Sequence, residues 1–125
     1  IVMYRYADVL LSKAEALANL ANGATPDAME LVNIIRERAN LQPKSVGDYA
    51  SLAAFNDLIL TERSHEFWCE NGQYRADLIR HGKYVERARE VKQSAYTADY
   101  KQLFPFSLRM ISEGKGKFIQ NPGYF

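Results

Sequence analysis

Three glutamates, Glu62, Glu66 and Glu70, recur at four-residue spacing, and Asp77 follows them. On a helix the three carboxylates share one face, a turn apart. The chemistry open to such a group is acid–base work. A glycosidase would set two carboxyls facing across a cleft at about 5–9 Å. Carboxylates stacked along one helix face inward together instead, and the nearby Arg63, Arg75 and Arg80 are placed to pair with them. Structural ion networks produce the same clustering as active sites, so no catalytic residue is assigned. The charges are interleaved with Phe67, Trp68, Leu78 and Ile79. An unpaired buried ion is very costly, so arginines, backbone N–H groups or water are expected around each carboxylate. The stretch from Leu58 to Gly82 is therefore read as a structural hub.

His65 and Cys69 also stand one helical turn apart, at metal-ligand spacing. A structural zinc needs four ligands, and only His81 remains as a further candidate, so no metal and no cofactor are assigned. No glycine-rich phosphate loop, nucleophile elbow or CxxC pair occurs. The aromatic load is heavy for the length, with eight Tyr, six Phe and one Trp. Such side chains stack on flat apolar faces, those of sugars included. Trp68, Tyr96 and Tyr100 are the candidates for a glycan platform; Phe55, Phe67 and Phe104 are read as core.

The chain has 125 residues, enough for one domain with one core. Sixteen basic and fifteen acidic side chains leave a net charge of +1 and no basic cluster, which gives no case for nucleic acid as a partner. One cysteine excludes an internal disulfide framework, and no apolar run approaches the roughly 20 residues of a membrane span. The chain opens with Ile1 on an apolar helical pattern. The expectation is the C-terminal piece of a longer protein, with any targeting signal upstream.

The elements that must hold these residues are helical. From Tyr4 to Asn22, the residues Tyr6, Val9, Leu10, Ala14, Leu17, Ala18 and Ala21 form an apolar stripe. Asn22-Gly23 ends the helix, Gly supplying the left-handed position. Thr25 caps the next helix, with Pro26 at its first position, and Ala28, Leu31, Val32, Ile35 and Ala39 form its buried face. Small residues Ala14, Ala18 and Ala28 allow close approach. A pair of about 34 residues has the size and design of a tetratricopeptide unit, which must stack on something to bury its faces. After a loop from Gln42 to Tyr49, Ser51 caps a third helix through Leu52, Phe55, Leu58 and Ile59 to Cys69. Asn71-Gly72 breaks it. A fourth helix carries Ala76, Leu78 and Ile79, and a fifth, from Lys83 to Gln93, buries Tyr84, Val85, Ala88 and Val91. Beyond it Ser107 caps one short turn, and Pro122-Gly123 forms a turn. The fold class is all-α: tetratricopeptide-like helix pairs with an irregular C-terminal loop region. The divisions are a helix pair over 4–40, a second helical unit over 51–93 and an irregular tail over 94–125.

Four blocks, in order, resemble the C-terminal region of SusD/RagB-type nutrient-binding proteins. The first is Tyr4-Arg5-Tyr6-Ala7-Asp8-Val9-Leu10-Leu11 with Lys13-Ala14-Glu15-Ala16-Leu17. The second is Val32-Asn33-x-Ile35-Arg36-x-Arg38-Ala39. The third runs from Glu62-Arg63-x-x-Glu66-Phe67 through Asp77-Leu78-Ile79-Arg80-x-Gly82. The last joins Leu103-Phe104-Pro105 to Gln120-Asn121-Pro122-Gly123-Tyr124. Two positions depart from the family pattern: Tyr74 stands where an Arg precedes the Asp-Leu pair, and His81 stands for the usual Trp.

The resemblance implies a non-enzymatic, outward-facing lipoprotein of the outer membrane, anchored by a lipid on an N-terminal part that this chain lacks. Its partners would be a SusC-like TonB-dependent transporter and an oligosaccharide or polysaccharide, or another nutrient, bound for import. The helical pairs of such proteins face the transporter, and the glycan contacts come largely from other parts of the chain. This chain would then be mainly scaffold. A helical-repeat protein–protein interaction module is the alternative, and a glycoside hydrolase the third reading.

Overall fold

Thr25 and Pro26 show how local chemistry sets the helices. The Thr25 hydroxyl accepts from the Ala28 backbone N–H at 3.1 Å, and Pro26 occupies a first-turn position that needs no N–H of its own. Ser51 and Ser107 repeat the device, accepting from Ala54 and Met110, both at 3.2 Å. The computed structural model describes residues 4–70, 72–92 and 98–124. Within them six α-helices follow one another: α1 Tyr6–Ala21, α2 Pro26–Arg38, α3 Leu52–Glu66, α4 Gln73–Arg80, α5 Tyr84–Lys92 and α6 Leu108–Glu113. Short 3₁₀ turns lie at Val46–Tyr49 and Asp99–Gln102, and the described residues contain no β-strand. The protein is all-α. The chain divides into two compact units, Ile1–Asp77 and Leu78–Phe125.

In the first unit α1 packs on both α2 and α3. Ala14 and Ala18 of α1 and Ala28 of α2 are fully buried, so the two backbones approach where the small residues stand. Leu11, Val32, Phe55 and Ile59 are the largest fully buried side chains, and Leu10, Met29, Ile35, Leu58 and Phe67 complete the core. The buried stripe of α1 is Ala7, Leu10, Leu11, Ala14 and Ala18. It is turned from the expected one: Tyr6, Val9 and Ala21 face solvent, and Leu17 is half-buried. Apolar residues nearly encircle the first turns of α1, so periodicity alone cannot choose its inner face. On α2, Met29 is buried where Leu31 is only half-buried, and Ala39 is an exposed C-cap.

The α1–α2 turn uses Asn22, not Gly23, in the left-handed region, at φ 54°. Asparagine tolerates that conformation. Gly23 serves close approach instead: a Cβ there would stand 2.7 Å from the Ala50 carbonyl oxygen, beside an isolated bridge to Ser51. Helix α3 stops at Glu66, short of the expected Cys69, and Cys69 itself takes φ 59°.

In the second unit Leu78 and Val85 are buried, while Val91, expected on the inner face of α5, is exposed. The tail owes its order to side-chain clamps. Gln120 accepts from the Phe106 N–H at 2.9 Å and donates to the Phe106 carbonyl at 3.0 Å. Asn121 donates to the Phe104 carbonyl at 2.7 Å, and the Tyr124 hydroxyl donates to the Leu103 carbonyl at 2.8 Å. The segments Leu103–Pro105 and Gln120–Tyr124 are thus two halves of one loop structure.

Candidate functional site

The hub carboxylates are met by arginines from distant parts of the chain. Glu62, 4% exposed, pairs with Arg36 of α2. Glu66 lies between two arginines: Arg5 Nη1 donates to one oxygen at 2.6 Å, and Arg38 donates to the other. Arg5 continues to Glu70, donating from Nε and Nη2 at 3.0 Å each, and its Nη2 reaches the Glu66 carbonyl at 2.6 Å. Its hydrogen bonds to Glu70, then Glu66, raise the Arg5 guanidinium further above its ordinary pKa, despite partial burial. Arg63 forms a second centre. Its Nε donates to Asp77 at 2.7 Å, and its Nη1 lies 2.7 Å from Asp8. The Phe67 ring is approached by both groups, with the Arg5 guanidinium 5.0 Å and the Arg63 guanidinium 5.1 Å from its centroid.

Every hub carboxylate is therefore engaged by a guanidinium, and the arrangement ties α1, α2, α3 and the start of α4 together. Spacing along the chain suggested Arg63, Arg75 and Arg80 as partners. Arg63 does hold Asp77, but Glu62, Glu66 and Glu70 take Arg36, Arg38 and Arg5. Fork-shaped donors of this kind neutralise carboxylates with defined geometry. Those arginines, with Asp8, stand in the first two blocks that carry the family resemblance, the signal by which they could have been found.

His65 and Cys69 are both exposed, and the helix that was to align them ends between them. Among the described residues no three His, Cys, Asp or Glu side chains group so as to hold a metal ion, and no helix is long and apolar enough to cross a membrane. Of the three candidate aromatics, Trp68 stands 79% exposed in the turn after α3. Tyr100 is 36% exposed and makes an edge contact with Tyr124, ring centroids 4.9 Å apart, and its ring also lies close to Gly123, where an added Cβ would strike it. Tyr96 lies outside the described residues.

Residues 1–124 match the family model described as the SusD family. SusD-like protein P38 of Formosa agariphila is 41% identical over 92 residues, 69% of this chain and 18% of that protein. Among solved structures, surface glycan-binding protein A of Bacteroides thetaiotaomicron superposes with a TM-score of 0.71 at 29% identity, covering 96% of this chain and 24% of its own. A SusD homolog from the same organism superposes with a TM-score of 0.75 at 28% identity, covering 96% and 26%. The chain thus spans about a fifth to a quarter of the length of these relatives. With matched residues running from the Arg5 block to the Tyr124 turn, the chain belongs to the SusD family.

Proposed function

We propose that this chain is the C-terminal helical part of a non-enzymatic, glycan-binding protein at the cell surface. In this reading the parent is a lipoprotein of the outer membrane that delivers oligosaccharides, polysaccharides or other nutrients to a SusC-like TonB-dependent transporter. The chain itself is mainly scaffold or transporter-facing surface. The observation that carries the reading is family membership over residues 1–124. The ion network supports the scaffold role, because its carboxylates are engaged by arginines that tie helices together. Trp68 is the candidate ligand contact with an open ring face; Tyr100 shares its ring with Tyr124, and Tyr96 stays a candidate on sequence alone.

The test is calorimetric titration of the intact protein against soluble polysaccharides, with hydrolysis followed in the same samples. Saturable binding without release of reducing ends is expected. Steady hydrolysis that is lost in a Glu66→Gln variant of unchanged stability would overturn the non-enzymatic reading.

A second reading is favoured by one feature of α1 and α2. Tyr6, Leu10, Ile34 and Ile35 line a groove of about 400 Å³ with Arg5 and Arg38 at its edge. A helical-repeat module for protein ligands would use such a groove. Binding of a protein partner that Ile34→Glu abolishes, by an intact protein that binds no saccharide, is the outcome that separates it from sugar capture.

A further inference from the structure

Helix α3 and the loop before it enclose a second groove, of about 350 Å³, apart from the arginine centres around Phe67. Asp57 and His65 line it from α3, Lys44 and Tyr49 from the loop, and the Arg36–Glu62 pair lies in its lining. The volume falls at the lower end of the roughly 300–1,000 Å³ seen for small-molecule sites. The loop is fixed before any ligand arrives. The Asn33 side chain donates to the Lys44 carbonyl at 3.0 Å and accepts from its N–H at 2.8 Å. Arg36 Nε donates to the Gln42 carbonyl at 2.8 Å, and Tyr49 packs against the core. A preorganised wall loses less entropy on binding.

The polar groups divide into satisfied and open. Arg36 and Glu62 satisfy each other. The Asp57 carboxylate and the His65 imidazole, both exposed, make no side-chain hydrogen bond or ion pair among the described residues. The Lys44 ammonium makes only a cation–π contact, 5.8 Å from the Tyr49 ring centroid. The groove therefore offers an acceptor, a donor and an imidazole that can act as either, beside the Tyr49 ring over which Lys44 lies. Its charge is balanced, Arg36 against Glu62 and Lys44 against Asp57. An anionic or cationic ligand would gain no net attraction there. A neutral ligand with adjacent hydroxyls, each both donor and acceptor, would match these groups.

We infer that this groove binds a neutral sugar ring of the captured glycan, hydrogen-bonded by Asp57, His65 and the Lys44 ammonium that lies over Tyr49. The inference rests on the glycan-binding reading above and places one contact within the helical scaffold. The experiment is calorimetry on the intact protein with neutral linear hexasaccharides of glucose, xylose and mannose, and with a hexauronate as the charged control. Asp57→Ala and His65→Ala, both at exposed positions, are compared with Tyr49→Ala, each checked for unchanged helix content and melting temperature. Expected is binding of a neutral hexasaccharide, weakened about tenfold by Asp57→Ala or His65→Ala, roughly the worth of one hydrogen bond. Wild-type binding that all three variants leave within twofold would overturn the groove and leave the glycan reading standing. Tight binding of the hexauronate alone would overturn its neutrality. A wild type that binds no saccharide in either experiment would overturn both readings together.

Discussion

Arg63 and Asp77 form the most buried ion pair of the first unit's hub, Nε to Oδ2 at 2.7 Å, with both side chains under a tenth exposed. Asp8 stands on the far side of the same guanidinium, 2.7 Å from Nη1, as an ion pair without an aligned hydrogen bond. One arginine on α3 thereby joins the first turn of α1 to α4. Such a group is costly to break, because removing one partner leaves the other charged and buried. Arg63→Met should take from Asp8 and Asp77 the guanidinium they share and destabilise the protein by about 3–5 kcal/mol. Urea unfolding measures it; a loss below about 1 kcal/mol would mean that water takes the place of the guanidinium.

Glu66→Ala should cost less, about 1.5–3 kcal/mol, the range for hydrogen bonds to charged groups. Arg5 would keep Glu70, and Arg38, more than half exposed, would turn to solvent. The order of the two variants is the sharper prediction: Glu66→Ala falling below Arg63→Met in stability would place the centre of the hub on Arg5 instead.

Much of this fold was legible in local chemistry. Thr25, Ser51 and Ser107 each cap the helix they precede, since a cap depends only on the next few residues. The need for arginines around the hub also followed from the cost of buried charge. Which arginines was not legible from spacing, because Arg5 lies more than sixty positions from Glu66 and Glu70. The end of α3 escaped too: Phe67, Trp68 and Cys69 carry no breaker, and the turn there accompanies the reach of Arg5 from Glu66 to Glu70. Among the candidate contacts, exposure separates Trp68 from Tyr100, and exposure is set by tertiary packing that no single residue announces.

Gly23→Ala should destabilise by about 1–3 kcal/mol, the usual effect of forcing atoms into packed space. Its Cβ would meet backbone, the Ala50 carbonyl oxygen at 2.7 Å, which cannot swing aside as a side chain would. Gly47→Ala is the control, with the Ser45 hydroxyl oxygen at 3.6 Å as its nearest neighbour, and should stay within about 0.5 kcal/mol of wild type. Equal melting temperatures for the two would remove the close-approach argument.

Gly123 and Gly116 offer a matched pair in the tail. Both have positive φ, 85° and 80°, so alanine strains either backbone, by about 1 kcal/mol or more. Only at 123 would the new methyl also strike a side chain, the Tyr100 ring; at 116 nothing lies within 4 Å. Gly123→Ala should therefore loosen the Tyr100–Tyr124 contact and expose the Leu103 carbonyl. Amide exchange across 98–124 should rise more than for Gly116→Ala. Identical exchange in both variants would show that the ring yields freely.

Trp68→Ala separates fold from function. A side chain 79% exposed contributes little packing, so stability should remain within about 0.5 kcal/mol of wild type. If Trp68 contacts glycan in the intact protein, affinity for the bound polysaccharide should fall about tenfold or more, since stacked aromatics are among the side chains that carry most binding energy. Unchanged affinity at unchanged stability would remove Trp68 from the sugar site. A drop in stability beyond 1 kcal/mol would mean that its ring is packed against the protein after all. The measurement needs both readouts on one sample, because a folding defect lowers the apparent affinity by reducing the competent fraction.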